Sequence, residues 1–304
     1  MAASSLWAPS ALHAEPLADK QSSQTRRIRV CGINWRRGQI HTAEKRSQGG
    51  AFVANWQPVS ASLVSMISPN HPKQTDNSVE KNTSFFRDQL EGYKSQVGTL
   101  DTYRNIRASI NKEIAGIDYL LDVGNGGTFD YDVSLLRELV AVDLFLEDLP
   151  PASLPANVVP KNGSALDLPF PAETFDGVVM VMLIHHLIGT SVADCLENAS
   201  RAMAEAFRVL KPKGKLIIVE SCVPWWFYRF ERLVFPLATK LIGRFMEHPA
   251  TLQLPPAVIA GLLEKHAVSV EVTRIQSGTW VLQYGVKWPS RLTPVGVYRF
   301  VAYK

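Results

Sequence analysis

From about residue 82 to the end of the chain, short apolar runs alternate with stretches whose apolar residues recur every three or four positions. The runs predict buried strands, and the wider spacing predicts amphipathic helices. The spacing predicts helices over residues 85–93, 103–114, 194–210 and 256–266, and the end of one over 135–139. The runs predict strands over residues 117–123, 140–143, 158–159, 175–184, 216–219, 268–275 and 297–303.

The order of these elements predicts the fold class. Strands that alternate with helices are typical of an α/β protein, in which a mostly parallel sheet carries helices on both faces. The seven predicted strands make this a seven-stranded sheet. The 304 residues, 46% of them hydrophobic, suffice for one or two domains. We predict one domain over residues 81–304, in which residues 81–116 supply the N-terminal helices.

Residues 1–80 sustain neither period and differ in composition from the rest of the chain. Residues 1–60 hold eight Lys or Arg and three Asp or Glu, a net charge of +5, which leaves −1 for residues 61–304. An Arg-rich, Ser-rich and acid-poor stretch is typical of an organellar transit peptide, although we favour a disordered basic extension. The net charge of +4 therefore belongs to this stretch, and it does not indicate a nucleic-acid partner.

Cysteine usage and hydropathy narrow the class of protein further. Cys31, Cys195 and Cys222 are widely spaced and odd in number, so they predict neither a disulfide framework nor a zinc site. A reducing compartment fits them best, which favours the cytoplasm, or an organelle if residues 1–80 are a transit peptide. No apolar run approaches the ~18–20 residues of a membrane-spanning helix. We therefore predict no metal site and no transmembrane segment.

Polar residues and glycines stand where the first two predicted strands end. Asp122 precedes a glycine-rich turn over residues 124–127, and Asp143 ends the second strand. In an open parallel sheet this edge binds ligands, and an acid at the end of the second strand suits the hydroxyls of a ribose. A nicotinamide dehydrogenase would need G-x-G-x-x-G, but the sixth position is Phe129. Asp122 suits a ligand with an ammonium or sulfonium charge better than a pyrophosphate.

Five segments in order resemble the class I S-adenosylmethionine-dependent methyltransferases, in particular the type 11 small-molecule group. The first is Leu-Leu-Asp-Val-Gly-Asn-Gly at residues 120–126, and the others are residues 142–143, 168–176, 183–187 and 207–212. The resemblance implies a Rossmann-like fold and S-adenosylmethionine as cofactor. It also implies methyl transfer to a small acceptor by in-line attack on the sulfonium methyl.

The resemblance also implies roles for single residues. Those carried over as cofactor ligands are Asp122, Gly124, Gly126, Asp143, Ser164 and Ala165. Asp122 and Gly124 would hold the methionine end, Gly126 and Asp143 the ribose, and the segment 163–165 the adenine. Thr128 stands where the family has a third glycine, and Ser164 where it commonly has an acid.

Three side chains near the ends of the fourth and fifth strands are candidates for a catalytic base. His185 and His186 follow the fourth strand, and Glu220 ends the fifth. A histidine titrates near neutral pH, so either could accept a proton from the acceptor. His186 could equally be a packed strand-end histidine, since one of two adjacent residues must point away from the site. Glu220 is either a rival base or a structural hydrogen-bond partner.

The stretch after the fifth strand, residues 223–235, is strongly aromatic. We interpret residues 222–256 as a lid over an apolar or aromatic acceptor. An ordinary buried helix is an equal alternative. A third interpretation is a helix that rests on a membrane surface, because Trp and Tyr stand beside basic residues. Glu231 and two prolines weaken that interpretation.

The residues together predict methyl transfer from S-adenosylmethionine to a small, hydrophobic or aromatic acceptor. One alternative is a non-catalytic relative that keeps the fold as a binding or assembly module, which Thr128 and Ser164 would suit. The other is a nicotinamide-dependent oxidoreductase, which Phe129 and Asp122 disfavour.

Overall fold

The computed structural model describes residues 100–148, 154–245, 251–283 and 286–304. The helix predicted over residues 85–93 and the basic stretch 1–80 lie outside these ranges. The α-helices are α1 Asp101–Ile114, α2 Val192–Val209, α3 Trp225–Phe245 and α4 Pro256–Leu263. The first five strands are β1 Tyr119–Val123, β2 Glu138–Asp143, β3 Val158–Asn162, β4 Phe175–Val181 and β5 Leu210–Cys222. The last four are β6 Ser269–Ile275, β7 Trp280–Gln283, β8 Val286–Pro289 and β9 Gly296–Tyr303.

Seven of these strands form one sheet in the order β3-β2-β1-β4-β5-β9-β6. Neighbouring strands among β3, β2, β1, β4 and β5 are parallel. Strand β9 runs antiparallel to both β5 and β6. The order reverses between β1 and β4, so the carboxyl ends of these two strands flank the point where such sheets bind ligands. The predicted α/β, Rossmann-like, seven-stranded fold is confirmed.

Two apolar layers cover the sheet, and adjacent residues of β1 point into different layers. Leu120 belongs to the cluster that contains Ile106 and Ile110 of α1. The next residue, Leu121, belongs to the cluster that contains Met203 of α2. A capping box stabilises the start of α2, where Ser191 accepts from the Asp194 amide and Asp194 accepts from the Ser191 amide. The sequence-predicted amphipathic helices thus form because each has one face to bury.

The helix end predicted over residues 135–139 is wrong. A 3₁₀ turn, Val133–Leu135, lies there instead, and β2 already begins at Glu138. Asp132 caps the turn by accepting from the Ser134 amide. Asn157 donates its side-chain amide to the carbonyl oxygens of Val133 and Leu136, at 3.0 and 3.1 Å. These polar contacts satisfy the backbone locally, so an α-helix is not needed between β1 and β2.

Two smaller differences concern where predicted strands begin and end, and a third is an additional hairpin. The fourth strand stops at Val181, because Met182 adopts the left-handed conformation at φ 53°, and residue 184 lies in a 3₁₀ turn. The fifth strand begins at Leu210, six residues before its predicted start. A β7–β8 hairpin precedes β9 and was not predicted. Among the helices that the structure describes, none is long and apolar enough to cross a membrane.

Candidate active site

The turn after β1 presents backbone rather than side chains to the carboxyl edge of the sheet. Gly124, Gly126 and Gly127 all have positive φ values, of 73°, 61° and 76°, a conformation that side chains disfavour. The Gly124 amide donates to the carbonyl of Val142 at 2.8 Å, which ties the turn to β2. A Cβ atom at Gly126 would meet no other atom within 4 Å. The turn therefore leaves room for a ligand to approach the backbone at Gly126.

Asp143 lies at the end of β2, directly beside this open position. Its Oδ2 accepts from the Gly126 amide at 2.9 Å, and its Oδ1 accepts from the Leu144 amide at 2.6 Å. Burial raises the pKa of this carboxyl, and the two backbone hydrogen bonds oppose that shift. A carboxylate has about four acceptor sites, and among the described residues two backbone amides donate to this one. The role of Asp143 at the ribose of the cofactor stays a prediction.

Asp122 points into the protein. It is only 2% exposed, and its Oδ2 accepts from the Tyr131 hydroxyl and from the Asn125 side-chain amide, both at 2.6 Å. Burial raises the pKa of its carboxyl to about 7, although both hydrogen bonds lower it. Its role at the methionine end of the cofactor stays a prediction. Its hydrogen bonds to Asn125 and Tyr131 join the end of β1 to the glycine turn and to the segment that follows it.

The buried Asp122 carboxyl gives a testable pH dependence of stability. Its folded pKa of about 7 lies above the ordinary value of 3.8, so the folded state holds more protons between these values. The free energy of unfolding should therefore fall as the pH rises from about 4 to 7. Asp122→Asn keeps an acceptor for Tyr131 and Asn125 but cannot ionise. Denaturant unfolding at pH 5, 6 and 7.5 should show a smaller fall for the variant.

The comparison with the variant isolates Asp122, because two neighbouring acids contribute in the same direction. Burial also raises the pKa of Asp130, to about 6, and that of Asp143. Both remain in Asp122→Asn and cancel in the difference. Parallel curves for the two proteins would contradict a raised pKa at Asp122.

The turn after β4 packs against the glycine turn. A Cβ atom at Gly124 would lie 2.8 Å from Cδ2 of Leu183, so the Leu183 side chain occupies the space above this glycine. The left-handed Met182, whose amide donates to the Val219 carbonyl at 2.8 Å, sets the direction of the chain here. Close approach at Gly124 thus involves a leucine, and the predicted contact of Gly124 with the cofactor stays a prediction.

The segment predicted to recognise adenine follows β3. The Gly163 amide donates to the Asp143 carbonyl at 2.9 Å, which brings this segment beside the end of β2. Ser164 Oγ accepts from the Leu166 amide at 3.2 Å and keeps its own proton to donate. Ala165 packs on the core as a partly buried residue. Ser164 and Ala165 therefore lie on the same edge as Asp143, and their contact with adenine stays a prediction.

His185 and Glu220 form a pair at the ends of β4 and β5. Nδ1 of His185 lies 2.6 Å from Oε1 of Glu220, and the two side chains are 13% and 1% exposed. Glu220 also accepts from the backbone amides of Ile184 and Ser221, both at 2.7 Å. A buried carboxylate that accepts from several donors fixes the histidine ring. The His186 ring lies against His185, with the ring centroids 4.2 Å apart and the planes tilted by 42°, and Glu220 contacts His185.

Two polar residues of this network were not predicted. Ser221 Oγ lies 3.2 Å from Glu220 Oε1 and accepts from the Gln253 side-chain amide at 3.2 Å. Oε1 of Gln253 is buried and finds no hydrogen-bond donor among the residues that the structure describes. The segment of Gln253 is held here because the Leu252 amide donates to the His185 carbonyl at 3.1 Å. Nothing in the local sequence signals this contact, which joins residues 32 positions apart.

Comparison with known proteins finds a family model that matches the part of the chain around the glycine turn. Residues 121–218, about a third of the chain, match the family model of a methyltransferase domain. This stretch runs from β1 to β5 and contains the glycine turn, Asp143 and His185. This part of the chain is therefore similar in sequence to methyltransferase domains. The resemblance in the sequence motifs is thereby confirmed.

Curated relatives match this methyltransferase domain over part of their length. A demethylmenaquinone methyltransferase of Symbiobacterium thermophilum is 40% identical over 73 residues, which are 24% of this chain and 25% of that protein. The enzyme of the same name from a Geobacillus species is 31% identical over 104 residues, 32% and 41% of the two chains. The chain thus spans well under two thirds of the length of these relatives.

Solved structures overlap with the methyltransferase domain as well. An N-methyltransferase from Bradyrhizobium japonicum is 14% identical, with a TM-score of 0.41 over 66% of this chain and 95% of that one.

Among the residues that the structure describes, no group of three or more His, Cys, Asp or Glu side chains could hold a metal ion.

Proposed function

We propose that the protein transfers a methyl group from S-adenosylmethionine to a small aromatic acceptor, with His185 as the general base. The observation that carries this proposal is the pair of His185 and the buried Glu220, beside a glycine turn with room for a ligand. The cofactor, when bound, supplies an electrophilic methyl group on a positively charged sulfur. Asp143 would hold its ribose, and the backbone at Gly126 would lie against it.

Glu220 prepares His185 for proton transfer. With the carboxylate as the acceptor, the tautomer of His185 that fits this contact has its proton on Nδ1 and donates it to Glu220 Oε1. Nε2 is then unprotonated and would take the proton of the substrate that receives the methyl group. The buried carboxylate stabilises the imidazolium that results. Leu183, which packs on Gly124 two residues before His185, supports a position of this base close to the cofactor turn.

We propose a reduced, quinone-like ring as the acceptor. The relatives named demethylmenaquinone methyltransferases motivate this choice. His185 would remove the proton of a ring hydroxyl, and the ring carbon beside the resulting oxyanion would attack the methyl group. The bond from sulfur to the methyl group would break to release S-adenosylhomocysteine, and loss of the proton on the methylated carbon to solvent would restore the ring. Oε1 of Gln253, which finds no donor among the described residues, supports such an acceptor, because an unpaired buried carbonyl costs about 1–3 kcal/mol and a second ring hydroxyl would satisfy it. Residues 222–256 would cover the ring as a lid.

Calorimetric titration of the full chain with S-adenosylmethionine, S-adenosylhomocysteine and NAD tests the cofactor. We expect heat with both sulfur compounds and none with NAD. Transfer of a tritiated methyl group to 1,4-dihydroxynaphthalene then tests the acceptor, with naphthalene as the control that lacks hydroxyls. The absence of heat with both sulfur compounds would contradict the proposed cofactor.

A non-catalytic role remains the second candidate, because two features depart from an open cofactor turn. Asp122 is shut inside the protein, and Leu183 covers Gly124. Binding of S-adenosylhomocysteine without transfer to any hydroxylated aromatic compound would favour this candidate. The predicted cytoplasmic location and its organellar alternative stay predictions.

A further inference from the structure

Helix α3 carries apolar side chains on two opposite faces. Tyr228 and Phe235 are 1% and 4% exposed and belong to the core. Trp226, Phe230 and Leu233 are 66%, 56% and 80% exposed. At about 100° per residue these three lie on one side of the helix, opposite Tyr228. We call them the outer stripe. A helix that is apolar on its solvent side lacks the usual polar face of a surface helix.

Charge is distributed around α3 in a way that the sequence alone does not reveal. Arg229 and Arg232 are exposed and lie on one side of the outer stripe, with Arg229 directly beside it. Glu231 is 8% exposed, so the acidic residue points toward the protein. The helix also contains Lys240 and Arg244, which gives four basic residues against one acidic residue. The acid that weakened the membrane interpretation of this segment therefore lies on the inner face.

We propose that the outer stripe docks on an anionic membrane surface. Trp, Phe and Leu on one side of a helix, with Arg beside them, form the pattern of helices that lie in the interface of a bilayer. The Trp226 ring would sit at the headgroup level, and Arg229 and Arg232 would contact lipid phosphates. The contact is superficial, with the helix parallel to the membrane. It does not depend on the proposed methyl transfer.

Two other occupants of the outer stripe are weighed against the membrane. A second copy of this chain would need a contact of about 800 Å² on each partner, which three side chains on a single helix face do not supply. Residues 1–99 of the same chain could also cover the stripe, but residues 1–60 carry a net charge of +5, which the exposed Arg229 and Arg232 repel. Residues 61–99 hold four basic and four acidic residues, so charge does not attract them to the stripe. The arginines beside the stripe instead complement an anionic bilayer.

Co-sedimentation of the full chain with vesicles tests the proposal. We expect binding to vesicles of phosphatidylcholine with 30% phosphatidylglycerol, and weaker binding to phosphatidylcholine alone. The triple variant Trp226→Ser, Phe230→Ser and Leu233→Ser should lower partitioning by at least about tenfold. The matched control is Val268→Ser with Leu292→Ser, two side chains outside α3 that are 85% and 74% exposed. This control should partition like the wild type.

The second variant, Arg229→Gln with Arg232→Gln, tests the charge. It should lower binding to the anionic vesicles and leave binding to phosphatidylcholine unchanged, with a weaker dependence on salt. Unfolding midpoints of all variants should match the wild type, which separates lost docking from lost folding. The proposal is overturned if the wild type does not sediment with anionic vesicles, or if the triple variant sediments as the wild type does. A wild-type dimer that the triple variant dissociates would also overturn it, since a second copy would then occupy the stripe.

Discussion

Replacing His185 by Ala is expected to slow methyl transfer by about a hundred- to ten-thousandfold, the usual contribution of a general base. The reason is that Nε2 of His185 would no longer take the proton of the acceptor hydroxyl. The calorimetric affinity for S-adenosylmethionine should stay at the wild-type value, because Asp143, the proposed ribose ligand, and the turn at Gly126 are untouched. Single-turnover measurement with tritiated S-adenosylmethionine and 1,4-dihydroxynaphthalene gives the rate.

The adjacent His186 provides a matched control. It has the same side chain in the same 3₁₀ turn, but Glu220 contacts His185. His186→Ala should therefore lose much less activity than His185→Ala. Equal losses in the two variants would contradict the assignment of His185 as the base.

Glu220→Gln separates the positioning of the ring from its chemistry. An amide cannot accept at both of its ends, so one of the donors that Glu220 now satisfies would face an NH₂ group. We expect a lower kcat, an unchanged KM for the acceptor, and a lower unfolding midpoint. A variant that loses stability and keeps the wild-type kcat would mean that Glu220 serves the fold alone.

The strands of the sheet were predictable because burial on both faces leaves long apolar runs. In β1 every residue from Leu120 to Val123 is buried, and β4 is similar. The connection between β1 and β2 was not predictable in this way. Its conformation depends on Asn157, which lies 21 and 24 residues from the carbonyl groups that it binds. No local pattern contains such a contact.

The same distinction applies to the candidate site. Asp143 and Gly126 were predicted together, since the carboxyl ends of adjacent parallel strands must meet. The inward orientation of Asp122 was not, because a strand that is buried on both faces gives no alternation from which to tell its two sides apart. Gln253 follows α3 along the chain, in a stretch with no motif, and contacts Ser221. The parts of the site that were not predicted thus depend on contacts between segments that are distant in the sequence.

Replacing Asp143 by Asn is expected to weaken binding of S-adenosylmethionine by about ten- to a hundredfold. A hydrogen bond to a charged group contributes about 1.5–3 kcal/mol, and the amide keeps one acceptor oxygen where the carboxylate had two. That oxygen still accepts from the Gly126 or the Leu144 amide, so the turn retains part of its support. Calorimetric titration with S-adenosylmethionine and S-adenosylhomocysteine measures the loss, which should be similar for both because both carry the same ribose.

Glu147→Gln is the control for this prediction. Glu147 is an exposed acid in the turn that follows β2, where it pairs with Lys161 at 3.2 Å. The Glu147→Gln substitution removes one negative charge, as Asp143→Asn does, only a few residues away. A general electrostatic effect on cofactor binding would therefore appear in both variants. We expect wild-type affinity in Glu147→Gln. If Asp143→Asn also binds with wild-type affinity and an unchanged unfolding midpoint, the acid at the end of β2 does not hold the ribose, and the cofactor must lie elsewhere along the sheet edge.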